Sequence, residues 1–184
     1  MTEKKFFEDL IASEQVFDGK LLHVLRDRVR LPNGDESLRE YIRHPGAVVV
    51  IAFLDNGKLL FERQYRYPLR RVMLELPAGK IDAGEDLVTC GKRELREETG
   101  YEAAEWRHVG TIHPCIGYSD ERIEIFHARG LTYVGAALDH GEQLETIELS
   151  LDAALTGILS GRITDAKTIA CLWWAERIAR QGWR

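Results

Sequence analysis

The segment GKIDAGEDLVTCGKRELREETGY (residues 79–101) decides how the chain folds. Its second half has helical spacing. Leu87, Gly91 and Leu95 fall at i, i+4 and i+8 and make a core-facing stripe. The helix is expected from about Asp86 to Thr99, with Gly100 as its C-terminal stop. Another face carries Glu94, Glu97 and Glu98. Like charges on one helix face repel by a few tenths of a kcal/mol per pair, so something must offset them. Glu94 and Glu98 stack one turn apart, and Arg93, at i−4 from Glu97, can pair with Glu97. That pairing leaves Glu94 and Glu98 aimed at a common point. Converging carboxylates are hard oxygen ligands of the kind Mg²⁺ or Mn²⁺ takes, and such ions keep waters and bridge to substrate phosphates. Gly79, Gly84 and Glu85 let the preceding loop fold back on the helix, where a backbone carbonyl near Ala78 or Gly79 can add an oxygen.

Outward from this segment the chain reads as strands, then helices. AVVVIAFL (residues 47–54) is a buried-strand run, DNGK (55–58) a hairpin turn and LLFERQYR (59–66) a second strand. VMLELPAG (72–79) is a short strand ending in a Pro/Gly break. Beyond the helix, RHVGTIH (107–113) and RIEIFHA (122–128) are strands flanking the loop PCIGYSDE (114–121). A polar loop, LDHGEQLE (138–145), leads into TIELS. LDAALTGILSG (151–161) and TDAKTIACLWWAERIAR (164–180) are helices, the second capped by Thr164 or Asp165. At the other end, KLLHVLRDRVRL (20–31) and ESLREYIR (36–43) form an amphipathic hairpin around PNGD (32–35), too small to stand without another surface. His44, Pro45 and Gly46 break the pattern. They divide the chain into an N-terminal β-hairpin domain, residues 1–45, and a main domain, residues 46–184. The element order predicts an α+β protein, or a mixed sheet clasped between helices.

Composition sets the outer bounds. The 184 residues, 45% apolar and 30% charged, are ordinary for a globular chain with one core and a small appendage. The net charge of -5 and the lack of a basic stripe with interleaved aromatics argue against a nucleic-acid partner. Cys90, Cys115 and Cys171 are far apart and odd in number, which suits a reducing compartment. No segment is apolar and long enough to span a bilayer, and MTEKKFFEDLIAS lacks a signal-peptide core, so a cytoplasmic protein without a membrane partner is expected. The histidines show no metal-ligand spacing, and His113 and His127 read as strand-end residues. Trp173 and Trp174 read as core or dimer packing.

A bare R-E-x-x-E-E run is more often a solvated helix face. The full spacing narrows the choice. The segment resembles the Nudix box, G-x5-E-x7-R-E-U-x-E-E-x-G-U with U apolar, and Gly79, Glu85, Arg93, Glu94, Leu95, Glu97, Glu98, Gly100 and Tyr101 fill every position. At background residue frequencies a chance match is on the order of one in a billion per start position. Resemblance to the Nudix hydrolases implies Mg²⁺-assisted attack of water on a nucleoside diphosphate linked to another moiety. It also implies an α/β/α sandwich with a mixed sheet, here preceded by a small antiparallel β-domain. By the same resemblance Glu94 and Glu98 are the main metal ligands, Glu97 a further or orienting one, and the Ala78 carbonyl an additional ligand. Arg93 would orient the carboxylates and Glu85 fix the loop to the helix.

Outside the box, FDGKLL, RQYR, PAGKID, GYSDE and DAKTI resemble the ADP-ribose (ADP-sugar) pyrophosphatase branch. That likeness implies that Arg66 contacts substrate phosphates, that Arg39 reaches the nucleotide and that Glu121 lies close to substrate. It implies a homodimer with exchanged N-terminal domains. It places a further metal ligand or base at Glu142; His140, where some relatives carry a glutamate, and Asp139 are the alternatives for the base. The chain departs from the branch at Ile116, where many relatives have a proline before the loop glycine. The leading expectation is Mg²⁺-dependent (or Mn²⁺-dependent) hydrolysis of ADP-ribose or an ADP-sugar to AMP and a sugar phosphate. The alternatives are a Nudix hydrolase of a GDP-sugar or dinucleotide, and a module that binds nucleotide sugars without cleaving them.

Overall fold

The computed structural model describes residues 3–138 and 143–182, and the chain divides into two compact units. The first comprises residues 1–45 together with 115–122. It is an antiparallel meander of β1 (Asp9–Asp18), β2 (His23–Arg30) and β3 (Glu36–Arg43). The tight turn between β2 and β3 uses Gly34 at φ +93°, where a side chain would be strained. The expected hairpin is present as β2 and β3, and β1 is an additional strand. Its pairing with β2 shifts register twice, between Leu10 and Ala12 and between Gln15 and Phe17. Each shift inverts the alternation of faces, so no two-residue period survives in DLIASEQVFD. Segment 115–122 joins this unit through Ile42, whose N–H donates to the Tyr118 carbonyl and whose carbonyl accepts from Asp120 N–H.

The second unit covers residues 46–114 and 123–184. Its first sheet holds β4 (Ala47–Ala52), β7 (Ala78–Lys80), β8 (Tyr101–Ile112) and β9 (Ile123–Tyr133) in the order β7-β4-β9-β8. Only β4 and β9 run parallel, so the sheet is mixed. A second, antiparallel sheet holds β5 (Leu59–Arg66), β6 (Arg71–Glu75) and β10 (Leu144–Leu149), with β5 in the centre. The helices are α1 (Leu87–Thr99), α2 (Leu151–Leu159) and α3 (Ala166–Gln181).

Strand β4 shows why helices lie on both faces. All six of its residues are buried, as expected of a strand covered on two sides. Val49 and Ile51 pack with Leu172, Ala175 and Ala154 from α3 and α2. Val48 and Val50 point the other way and pack with Cys90 and Leu95 of α1. Gly91 lets α1 approach closely: a Cβ there would come within 3.1 Å of Trp106 and 3.2 Å of Val48. The arrangement is α+β, helices on either side of a mixed sheet. No helix among the described residues is long and apolar enough to cross a membrane.

His113 follows the end of β8, as read from the sequence. His127 departs from that reading: it lies inside β9, buried, edge-on to Phe53 at 5.5 Å. Burial, and then Arg129 and Arg107, hold its imidazole down at about 4. The folded chain keeps the ring neutral, while the unfolded chain takes up a proton near pH 6.5. The stability this provides is complete above pH 6.5 and is lost as pH falls from there toward 4. Urea midpoints of the wild type and His127→Phe at pH 7 and pH 4.5 should show the smaller acid loss in the variant. Equal losses would show that the ring is not held neutral in the fold.

Candidate active site

The site is built where the loop after β6 meets α1. Asp86 caps α1, accepting from the N–H groups of Val88 and Thr89 at 3.1 Å each. Gly100 ends the helix at φ +76°. Between them the helix presents Arg93, Glu94, Glu97 and Glu98.

Arg93 is the hub. Its Nε and Nη2 donate to the two Glu85 oxygens at 2.9 Å each. Nη1 donates to Glu94 at 2.8 Å and Glu97 at 3.2 Å. Nη2 also reaches the Lys80 carbonyl at 3.1 Å. The fork therefore ties the loop to the helix and fixes two carboxylates at once. The Arg93 hydrogen bonds hold the Glu85 carboxyl far below the usual carboxylate range, and Glu85 in turn raises Arg93. The i, i+4 spacing predicts a pairing of Arg93 with Glu97 alone; in the structure Glu94 shares the same guanidinium nitrogen.

Glu98 is different. It is buried, and a carboxylate oxygen accepts from the Ala78 N–H at 3.1 Å. Among the described residues no Lys, Arg or His side chain pairs with it. Burial, then the neighbouring Glu62 and Glu94 carboxylates, push its carboxyl well up. The adjacent backbone is pressed against Glu94: a Cβ on Gly79 would overlap the Glu94 carboxyl. Ala78 and Gly79 thus lie against both Glu98 and Glu94, as the loop-on-helix reading requires.

These residues fit a divalent cation. Glu98 is, among the described residues, a buried carboxylate without a counter-charge, beside the Glu94 carboxylate and the Ala78–Gly79 backbone. Among the described residues no three Asp, Glu, His or Cys side chains form a cage that could hold an ion. That suits Mg²⁺, which takes one or two carboxylates and keeps waters, better than a structural zinc, which needs a closed set.

A second network lies behind the first. Glu75 on β6 is buried and accepts a two-pronged pair from Arg66, 2.8 Å on each prong, plus a hydrogen bond from Lys167. Burial opposes its charge, but Arg66 and Lys167 outweigh burial and hold the carboxyl low. Lys167 also donates to Asp165, the cap of α3, at 3.0 Å. Thr168 Oγ1 accepts from the Leu76 N–H at 3.0 Å. DAKTI is thus an anchor that fastens α3 to the strand leading into the box. No motif or spacing in the sequence marks Glu75 or Glu62, and Lys167 is marked only as part of DAKTI. The available signal was an acid inside each of two apolar strands, LLFE and MLEL.

The second unit therefore brings together Ala78, Glu85, Arg93, Glu94, Glu97 and Glu98, and places Arg66 on Glu75. Arg39 and Glu121 belong to the first unit. Arg39 forks onto Glu8 at 2.9 and 2.5 Å, and Glu121 lies 4.0 Å from the His44 ring nitrogen. Asp139, His140 and Glu142 lie outside the described residues.

Comparison with known proteins agrees with this geometry. Residues 43–167 match the family described as NUDIX domain, and residues 8–42 match the nucleoside diphosphate sugar hydrolase N-terminal domain. A protein of Bacillus methanolicus named methanol dehydrogenase activator is 42% identical over 94% of this chain and 95% of its own. The ADP-ribose pyrophosphatase of Bacillus subtilis is 40% identical over 90% of both chains. That of Mycobacterium tuberculosis is 36% identical over 92% of this chain and 83% of its own. A solved structure titled as an ADP compounds hydrolase superposes with a TM-score of 0.85, covering 95% of this chain and 96% of that one, at 22% identity, and shares the fold. With an intact box whose arginine and glutamates converge on one loop, and a family match over most of its length, the chain belongs to the Nudix hydrolases.

Proposed function

We propose that the protein hydrolyses the pyrophosphate bond of ADP-ribose or a related ADP-sugar, giving AMP and a sugar phosphate, with Mg²⁺ as its metal. The observation that carries this reading is Glu98, a buried carboxylate without a basic partner among the described residues, set against the Ala78 amide beside Glu94. The ADP-sugar choice is supported by the names of the Bacillus subtilis and Mycobacterium tuberculosis relatives and by the N-terminal family match. Relatives named GDP-mannose pyrophosphatase are more distant, the Yersinia enterocolitica one being 31% identical over 77% of this chain.

In this reading Glu94 and Glu98, with the Ala78 carbonyl, are the main metal ligands, and Glu97 is a further or orienting one. When bound, Mg²⁺ neutralises the substrate phosphates and acidifies water for attack on phosphorus. Arg93 fixes the direction of Glu94 and Glu97. Arg66, its Nε and Nη2 committed to Glu75, presents Nη1 to a phosphate oxygen. Glu142 takes the proton from the attacking water, ahead of His140. The first unit serves the homodimer: Phe6, Phe7, Leu10, Phe17 and Leu38 are all more than half exposed in the single chain, while only Leu25 and Val29 of its strands are fully covered.

The first test is a product assay with ADP-ribose, GDP-mannose, NADH and diadenosine polyphosphates, with Mg²⁺ or EDTA. AMP and ribose 5-phosphate should form fastest from ADP-ribose and stop in EDTA. Glu98→Gln should lose at least about 100-fold in turnover with an unchanged circular dichroism spectrum, and Glu142→Ala should lose more than His140→Ala. Preference for GDP-mannose, or an active Glu98→Gln, would overturn the substrate or the metal-site reading respectively.

Gly79→Ala should fold normally yet lose turnover by about ten-fold or more, because its Cβ displaces the Glu94 carboxyl, the flexible end of a side chain. Wild-type turnover in that variant would mean that the position of Glu94 does not matter. Light scattering should report a dimer, and Phe17→Asp should shift it toward monomer; a monomeric wild type would remove the dimer from this proposal.

A further inference from the structure

Strand β5 carries a carboxylate that the box does not account for. Side chains two apart on a strand share a face. On β5, Leu59 and Phe61 face the core shared with α2 and α3, whereas Leu60 packs with Leu95 and Cys90 of α1. Glu62 follows Leu60 on that α1-facing side. It is fully buried, and neither of its oxygens has a hydrogen-bond partner among the described residues. Its carboxyl lies against that of Glu98. Directly across the sheet stands Glu75 on one side and Thr146 on the other. Like charges directly opposite on neighbouring strands repel. Glu75 is neutralised by Arg66 and Lys167, but both of those cations donate to Glu75 and neither donates to Glu62.

A core position between Leu60 and α1 would be filled more stably by an apolar side chain, since an unpaired buried charge is strongly unfavourable. A structural role would call for a basic or amide donor, and no described residue supplies one; what faces Glu62 is another carboxyl, that of Glu98. What the position does supply is a second hard oxygen pair facing Glu98, the box glutamate that lacks a basic partner among the described residues. We propose that Glu62 is part of the cation site, forming with Glu98 an inner two-carboxylate seat for a divalent ion, alongside the seat at Glu94 and Glu97 that Arg93 orients. The inference rests on the metal-dependent reading above and adds to it a ligand from outside the box. It also accounts for the difference between the two buried glutamates of this sheet: Glu75 is paired within the protein, and Glu62 is paired by what binds.

The test uses Mn²⁺ alone, without substrate. Free Mn²⁺ is measured by electron paramagnetic resonance during titration of the full chain, for the wild type, Glu62→Gln and Glu62→Leu. Both variants should bind Mn²⁺ about ten-fold more weakly or lose one bound ion. Their melting midpoints in EDTA should rise above the wild type's, while the further rise on adding Mn²⁺ should shrink. Wild-type affinity and stoichiometry in the variants would overturn the assignment and leave Glu62 sharing a proton with Glu98 as a structural pair. A variant pair that cannot fold in EDTA would overturn it too, by showing that the carboxyl is needed for the fold itself. A wild type that binds no Mn²⁺ would overturn this inference and the metal-dependent reading together. A wild type that binds Mn²⁺ and cleaves ADP-ribose, beside variants with unchanged Mn²⁺ binding, would remove Glu62 alone.

Discussion

The second unit is organised by one guanidinium. Arg93 donates to Glu85, Glu94, Glu97 and the Lys80 carbonyl. Without it, the loop beyond β7 would lose its guanidinium tie to the helix, and Glu85, Glu94 and Glu97 would repel on one surface. An arginine suits this position because its donors form a rigid planar fork, which a lysine ammonium lacks. The geometry that follows is asymmetric. Glu94 and Glu97 are charge-compensated and partly open, while Glu98, one turn on from Glu94, is buried and, among the described residues, meets a peptide N–H and no basic side chain.

That asymmetry needs a rigid floor. The loop bearing Ala78 and Gly79 is held as β7 against β4, with Val49 opposite Ala78 and Val48 opposite Gly79. Strand β4 is immobilised by cores on both faces. From the far side, Thr168 binds the Leu76 amide and Lys167 binds Glu75, so α3 also fixes the segment entering the box. The glycine at 79 is a consequence of the same closeness, since no Cβ fits between β7 and the Glu94 carboxyl.

Much of this was legible in the sequence because it is local. The helix, the Gly91 contact stripe and the Gly100 stop follow from spacings within one segment, while Asp86, read as the helix's first residue, is its cap. The hairpin of β2 and β3 keeps strict register from His23 opposite Arg43 to Arg30 opposite Glu36, and its alternation is visible. Strand β1 was not legible, because two register shifts erase its period. Strand β8 begins at Tyr101, six residues before the stretch that reads as a strand, since Glu102, Ala103, Ala104 and Glu105 have weak strand preference and are held there by pairing with β9. The Glu75 network was hidden for a different reason. Arg66, Glu75 and Lys167 lie on three elements, and no spacing rule connects them.

The two glutamates of the β5–β6 pair show where sequence and site part company. Glu62 and Glu75 face each other in register, both buried, each inside an apolar run. Composition treats them alike. The fold separates them by where the cations fall: Arg66 comes from the end of the same hairpin and Lys167 from the first turn of α3, and both terminate on Glu75. That leaves Glu62 on the side of α1, against the Glu98 carboxyl, with no basic donor among the described residues. A core retains such a pair of carboxyls only where a proton or a cation can stand between them. The opposed fates of two identical residues thus come down to where Arg66 and Lys167 terminate, on Glu75 and not on Glu62.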